Sequence, residues 1–351
     1  MGKIVTLNAK FDHSCAVLRQ CLALCCVALV MLSACSPAPE GLSHLHDYQQ
    51  RVANTLNQPA VNYQPVPRIQ PPSARDLRLL IERLEISLLD AMRLDACTAG
   101  PLIAERNSSL GRLQQGVLRY FYDRQLVEAL QLCAKQLHNE NPELAKRVQQ
   151  QAEAKRKLMP QLRTQAITQD YAIRNIISMA DRPLAKPDSS TLAPLFSAMN
   201  TLLQVLDDQA PLPTEPELIA ALERLDKDAY IAQLWRALHD NHAYIQQLEP
   251  LVSSLSENAG CLSAGIPKRA HVLRQVFIAR FSGPVQRHLN ALTHQAQQLK
   301  PYIQALDTPL PAWRAHLRHI AALDDQVKTA TRNHVQHWQV FFRDCEFTPG
   351  A

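Results

Sequence analysis

The densest group of polar side chains in this sequence lies between two apolar segments, at Glu105, Arg106, Asn107, Ser108 and Ser109. A carboxylate, a guanidinium and two hydroxyls could recognise a ligand or take part in proton transfer. The same residue types also begin helices, because Ser and Asn side chains accept hydrogen bonds from the free amides of a first turn. The sequence therefore leaves this patch as either a recognition loop or a helix cap, and it predicts no catalytic residue.

Histidines form three pairs spaced three residues apart, at His239 and His242, His316 and His319, and His334 and His337. On a helix this spacing places both rings on one face, so two facing pairs could bind a metal ion. None of the pairs has the accompanying glutamates of the carboxylate bundles. We therefore expect no metal ion and no cofactor.

The sequence lacks the motifs of the easily recognised enzyme classes. It contains no glycine-rich phosphate loop, no H-E-x-x-H and no G-x-S-x-G. The formal net charge is only +5, and basic residues mostly alternate with acids outside the short run 155–157. This pattern is typical of solvated helix faces, so a nucleic-acid partner is not expected. Together these features favour a non-enzymatic protein.

The N-terminal residues have the pattern of a secretion signal. Basic residues precede an apolar run of twelve residues, Cys21–Leu32, which is shorter than the about 20 residues that a transmembrane helix needs. The ending Leu32-Ser33-Ala34-Cys35 resembles a bacterial lipobox, which implies cleavage before Cys35 and attachment of lipid, palmitate included, to its thiol. An ordinary secretory signal and a one-pass membrane anchor are the alternatives.

These features predict a lipid-anchored protein of the Gram-negative cell envelope, which contacts the membrane through its N-terminal lipid. Residues 1–34 would be the signal peptide, and residues 35–41 the lipidated cysteine and a short tether. By resemblance to bacterial lipoproteins, Ser36 after the cysteine directs the protein to the periplasmic face of the outer membrane.

Four cysteines remain in the mature chain beyond Cys35, namely Cys97, Cys133, Cys261 and Cys345. In the oxidising periplasm they are expected to form two disulfides. Of the three pairings, we favour Cys97 with Cys133 and Cys261 with Cys345, because each pair closes a loop within one half of the chain. A zinc site is the alternative, but no two of these cysteines have C-x₂₋₄-C spacing.

Composition and periodicity predict an all-α protein. Leu, Ala, Gln and Arg dominate the mature chain, whereas the residue types that favour strands are sparse. Helical periodicity covers 42–56, 77–92, 110–138, 191–206, 217–248, 268–306 and 311–342, and Asn141-Pro142 begins a further helix. Prolines at 59–72 indicate an extended strap. We predict a helical bundle stapled by two disulfides, either extended or divided into subdomains at 42–208 and 209–351.

Four further segments follow the lipobox in a distinctive order, namely His46–Ala53, Arg68–Ile69 with Pro71–Pro72, Arg93–Cys97 and Leu102–Gly111. Together they resemble a family of proteobacterial lipoproteins catalogued as domain of unknown function 3080. The resemblance implies a location in the cell envelope but no activity, so no catalytic residue can be assigned from it.

Three functions are compatible with these observations. The preferred one is a non-enzymatic outer-membrane lipoprotein whose helical surface binds an envelope protein. The second is an envelope enzyme of an unrecognised helical class, which would bring Glu105, Arg106 and the histidine pairs into one cleft. The third is a binder of a lipid or small ligand, which would need a continuous apolar cavity between helices.

Overall fold

A computed structural model describes residues 41–82, 94, 97–261 and 266–347. Within these residues the protein is helical and contains no strand, which confirms the predicted all-α class. The expected signal peptide and the lipidation site at Cys35 lie outside the described residues. None of the described helices combines the length and the apolar character needed to span a bilayer.

The helices of the first half are α1 (Ser43–Leu56), α2 (Ala99–Asn107), α3 (Gly116–Leu137), α4 (Pro142–Gln169), α5 (Tyr171–Ile176) and α6 (Leu192–Leu206). Asn141 begins α4 as predicted, because its side chain accepts a hydrogen bond from the Leu144 amide at 3.1 Å. Pro142 then occupies the first turn, where a proline has no helical hydrogen bond to lose.

The helices of the second half are α7 (Glu215–Lys227), α8 (Tyr230–Gln247), α9 (Glu249–Val252), α10 (Leu255–Ala259), α11 (Lys268–Val276), α12 (Gln286–Ala305), α13 (Pro311–Ala321) and α14 (Leu323–Asp344). A π-helical segment, Phe277–Val285, joins α11 to α12. The stretch predicted as helical over 268–306 is helical as far as Ala305, and its middle part is π-helical, which the periodicity did not predict. Pro284 lies in the π-helical segment, and because proline has no amide to donate, the regular hydrogen-bond ladder is interrupted there.

One large apolar cluster fills most of the protein. It takes buried residues from α1 at one end of the chain and from α14 at the other, and it includes the tryptophans Trp235, Trp313 and Trp338. Residues on both sides of position 209, where two subdomains were expected to meet, belong to this cluster. The chain from Glu40 to Ala351 accordingly forms one compact unit. A second, smaller cluster lies where α2 packs against the facing ends of α3 and α4.

Each apolar cluster contains one disulfide. Cys97–Cys133 links the segment before α2 to α3 in the smaller cluster, and Cys261–Cys345 links the residues after α10 to the end of α14 in the larger one. Their Cα atoms are 5.6 and 4.9 Å apart, within the usual range for a bridge. The favoured pairing is confirmed.

The proline-rich strap is extended, as predicted, and helix side chains hold its backbone. The Gln49 side chain accepts a hydrogen bond from the Val61 amide at 2.9 Å. The Gln247 side chain accepts from the Gln64 amide at 2.8 Å and donates to its carbonyl at 2.9 Å. These side chains take the place of a helix or sheet ladder, which the prolines prevent.

The helix predicted over 77–92 does not begin at Leu77. The chain continues without helix as far as residue 82, and Leu80 is fully exposed. Arg174 donates to the Pro72 carbonyl at 2.7 Å and Gln169 donates to the Ala74 carbonyl at 2.8 Å, so tertiary hydrogen bonds hold the chain at the end of the strap, where a turn at residues 74–77 takes the place of the predicted first helical turn. The part of this predicted helix beyond residue 82 lies outside the described residues.

The first and last helices meet at the Tyr48 hydroxyl. This hydroxyl accepts a hydrogen bond from the Trp338 indole at 2.7 Å and lies 2.8 Å from Nε2 of His334. This hydroxyl therefore hydrogen-bonds two side chains of α14 at once. Phe281 of the π-helical segment stacks on the same imidazole, with ring centres 4.7 Å apart. Burial, with a smaller effect from nearby His337, lowers the pKa of His334 to about 3.

We expect His334 to make the protein less stable as the pH falls. The folded protein keeps this side chain neutral down to about pH 3, whereas the unfolded chain binds a proton near 6.5. Between these values the unfolded state therefore gains stability, by about 1.4 kcal/mol per pH unit. Urea unfolding at several pH values should show that H334Q flattens this dependence. H294Q, which replaces an exposed histidine, serves as the control. An equal dependence of the unfolding free energy on pH in the parent protein, H334Q and H294Q would contradict the prediction.

Candidate interaction surface

The polar patch predicted at 105–109 lies at the end of α2 and in the turn that follows. Four of its side chains are exposed, namely those of Glu105, Asn107, Ser108 and Ser109. The Arg106 side chain is partly shielded from water. The Ser108 hydroxyl accepts a hydrogen bond from the Gly111 amide at 3.0 Å. The patch therefore caps a tight turn, and it does not cap the next helix.

Gly116 determines where α3 begins. Its φ of +61° lies in the left-handed region, and a Cβ there would overlap the Asp170 carboxylate. That carboxylate instead accepts a hydrogen bond from the Val117 amide at 2.8 Å. The prediction that the helix begins at Leu110 is therefore wrong, because residues 108–115 form a loop before it.

Gly111 closes the turn against the end of α2. A Cβ at this position would overlap the carbonyl oxygen of Glu105, so no other residue fits without moving the backbone. The Arg106 guanidinium donates to the Gly111 carbonyl at 3.5 Å, and the Arg112 amide donates to the Ser108 carbonyl at 3.1 Å. The turn is thus tightly packed and held by its own hydrogen bonds.

Two leucines project from this turn into water. Leu110 is 78% exposed and Leu113 is 72% exposed. Exposed apolar area costs roughly 25 cal/mol per Å² of free energy that burial against a partner would recover. We call residues 105–113 the leucine turn. Apolar side chains on a rigid support, bordered by charged and polar groups, are typical of a protein-binding surface.

A buried carboxylate fixes the base of the leucine turn. Asp123 of α3 is 1% exposed, and three cations surround it: Lys155 at 2.8 Å, Arg119 at 3.4 Å and Arg106 at 3.8 Å. Burial of a carboxylate costs several kcal/mol unless opposite charges compensate it. These residues come from α2, α3 and α4, so the cluster joins the three helices. Arg106 belongs both to this cluster and to the turn.

A small cavity lies beside the patch and is lined by Leu102, Glu105, Arg106, Gln114, Tyr122 and Leu126. Its volume is about 10 Å³, which is about the space of one water molecule. The Tyr122 hydroxyl donates to the Glu215 carboxylate at 2.5 Å, and burial together with this bond raises the pKa of Tyr122. Glu105 and Arg106 therefore border a cavity that is too small for a substrate.

One ring of each histidine pair is already hydrogen-bonded within the fold. His316 donates to the Ile177 carbonyl at 2.9 Å, and His239 donates to the Pro67 carbonyl at 3.0 Å. In the third pair, His334 binds Tyr48. Across the described ranges, no group of three or more His, Cys, Asp or Glu side chains could hold a metal ion.

Two grooves flank α14. One, of about 350 Å³, lies between α8 and α14, and the other, of about 360 Å³, lies between α12 and α14. Glutamine, asparagine, threonine and charged residues form most of the lining of each groove. These two grooves lack the continuous apolar lining that a lipid-binding site requires.

Sequence reasoning found the polar half of the leucine turn and missed its apolar half. Gly111 and Gly116 were the available signal, because two glycines so close together disfavour a helix and indicate a loop. Nothing in the sequence near Asp123 indicated that its carboxylate is buried among cations. Its role depends on cations from three helices, and their meeting point cannot be seen from spacing along the chain.

The fold and this surface define an all-helical, doubly disulfide-bonded protein with a rigid exposed turn. The chain belongs to the family DUF3080, described as proteins of unknown function, which matches residues 45–349. The match confirms the resemblance to domain of unknown function 3080 found in the sequence segments, and it assigns no activity. No curated protein and no solved structure matches the chain.

We expect G111A to open the leucine turn, because the added Cβ would overlap the Glu105 carbonyl oxygen. Hydrogen exchange should become faster over residues 108–113, and the free energy of unfolding should fall by about 1–3 kcal/mol. G283A is the matched control, since the nearest atoms to its added Cβ are 3.9 and 4.0 Å away. If hydrogen exchange over residues 108–113 were as slow in G111A as in the parent protein, the close packing of Gly111 against Glu105 would not be what fixes the turn.

Proposed function

We propose that the protein is a lipoprotein anchored to the periplasmic face of the outer membrane. We further propose that it is a non-enzymatic interaction module, and that the leucine turn is its surface for an envelope protein. The observation that carries this proposal is the pair of exposed leucines on a turn whose backbone is fixed by Gly111 and Arg106.

The anchor is supported by the lipobox-like ending at Cys35 and the short apolar run before it. Each buried CH₂ of an acyl chain contributes about 0.8 kcal/mol, so more than one chain would give a durable anchor. The two disulfides support an oxidising compartment, since disulfides persist there and are rare in the cytosol.

The partner surface is supported by the geometry of the leucine turn. A preorganised turn loses little conformational entropy on binding, so the burial of Leu110 and Leu113 would appear largely as affinity. We expect the partner to offer an apolar pocket for these two side chains. The cavity beside Glu105 and Arg106 has no room for a substrate, which favours binding over catalysis at this surface.

Mass spectrometry of the membrane-extracted protein tests the anchor. We expect the N-terminal peptide to begin at Cys35 and to carry the mass of diacylglycerol and an amide-linked acyl chain. The C35A protein should lose this modification and remain unprocessed, because the thiol receives the lipid before cleavage. A mature N-terminus at another residue, or an unmodified Cys35, would refute the anchor.

Photo-crosslinking in living cells tests the leucine turn. A photoreactive amino acid in place of Ser109 should give a discrete crosslink to an envelope protein. L110S/L113S should reduce its yield at least about tenfold, because burying each leucine contributes about 1.5–3 kcal/mol to binding.

L80S is the matched control for that experiment. Leu80 is fully exposed and lies in the segment that follows the strap, outside the leucine turn. The crosslink should survive in L80S. An equal loss in L80S and L110S/L113S, or a crosslink that persists in both, would exclude the leucine turn as the binding surface.

A further inference from the structure

The described chain starts at Gly41, and this residue is fixed to the body of the protein. Its φ of +80° is left-handed, and the Leu184 carbonyl oxygen lies 3.0 Å from the place where a Cβ would be. Pro183 contacts the same position at 3.4 Å. Burial lowers the pKa of His288 to about 4, and a hydrogen bond to the Gly41 backbone opposes that shift. The point at which the tether leaves the body is therefore defined.

The tether between the lipid and this point is short. It consists of the six residues from Cys35 to Glu40. A fully extended chain spans at most about 3.5 Å per residue, so this tether reaches about 20 Å. If Cys35 carries lipid, as proposed above, Gly41 stays within that distance of the bilayer surface. The protein surface around Gly41 must then face the membrane.

Exposed cations border the exit of the tether. Arg182 and Lys186 lie in the segment that packs on Gly41, and Arg287 precedes the histidine that bonds to it; all three are exposed. Two acids occur in the same segment, and Asp181 is paired with a cation whereas Asp188 keeps its charge. Arg68 forms an ion pair with Asp181, and Asp188 accepts hydrogen bonds from Ser190.

A single carboxylate on the adjoining part of α1 lies near two guanidinium groups, one from α1 and one from the π-helical segment. Asp47 lies three residues after His44, whose ring is 5.7 Å from that of His288. Arg51 approaches the Asp47 carboxylate at 3.0 Å and Arg280 of the π-helical segment approaches it at 3.5 Å. One carboxylate therefore faces two guanidinium groups, and the surface around the exit keeps a positive excess.

We propose that this surface, which we call the exit face (Arg182, Lys186, Arg280 and Arg287), binds the anionic phospholipid headgroups of the bilayer in which Cys35 is anchored. Basic residues near an anionic leaflet are attracted within about one Debye length of it. The short tether holds them at that distance. The exit face thus fixes which side of the protein lies against the membrane, beyond what a flexible lipid anchor alone would determine.

Vesicle sedimentation of an unlipidated protein tests this proposal separately from the anchor. The protein is the mature chain from residue 35 with Cys35→Ser and both disulfides formed. We expect it to bind phosphatidylcholine vesicles that contain one-third phosphatidylglycerol, to bind less as salt rises, and not to bind pure phosphatidylcholine. R182Q/K186Q/R287Q should lower the partition coefficient about 100-fold, because each basic residue contributes about fivefold.

The matched control is K146Q/R156Q/K157Q, which removes three exposed cations from α4. It should lower the partition coefficient less than about threefold, since these residues act only through the total charge. Equal losses in the two triple variants, or no binding of the parent chain to anionic vesicles, would overturn the exit face. An unmodified Cys35 in the native protein is a different failure, because it would remove the anchor on which the exit face depends.

Discussion

A buried hydroxyl group that hydrogen-bonds two distant side chains joins the first and last helices of this protein. Tyr48 accepts from the Trp338 indole and is hydrogen-bonded to His334, although these residues are separated from it by 290 and 286 positions. Removing α1 would leave two polar groups of α14 unpaired in the core, at a cost of about 1–3 kcal/mol each. The π-helical segment contributes to the same point, because Phe281 covers the His334 ring. The elements between α1 and α14 must therefore return the chain to its start.

The two apolar clusters have different roles in this arrangement. The larger cluster closes the chain on itself and contains Cys261–Cys345. The smaller cluster supports α2, whose end carries the leucine turn, and Cys97–Cys133 fixes the residues just before that helix. Asp123 connects the turn to α3 and α4 through opposite charges that are largely withdrawn from water. The turn that carries the exposed leucines is therefore stabilised by a disulfide, by apolar packing and by ion pairs.

Local rules predicted the helices, the cap at Asn141, the extended strap and the cysteine pairing, because each depends on residues near one another or on simple loop closure. They failed where distant groups decide the conformation. Arg174 holds the end of the strap at the Pro72 carbonyl, and Asp170 delays the start of α3. The patch at 105–109 was found from composition, but the exposure of Leu110 follows from the folding of the turn over α2. Such contacts leave no periodic signal in the sequence.

The strap and α1 also set an order of events during synthesis. A chain leaves the ribosome from its N-terminus, so Tyr48 emerges long before His334 and Trp338 exist. Gln49 waits for Val61 only briefly, whereas Gln64 waits for Gln247, which lies 183 residues later. During synthesis α1 therefore lacks its hydrogen-bonding partners in α14 until nearly the whole polypeptide has been made. A chain stalled before α14 would leave the Tyr48 hydroxyl without Trp338 and His334, although Gln247, the partner of the strap, would already be present.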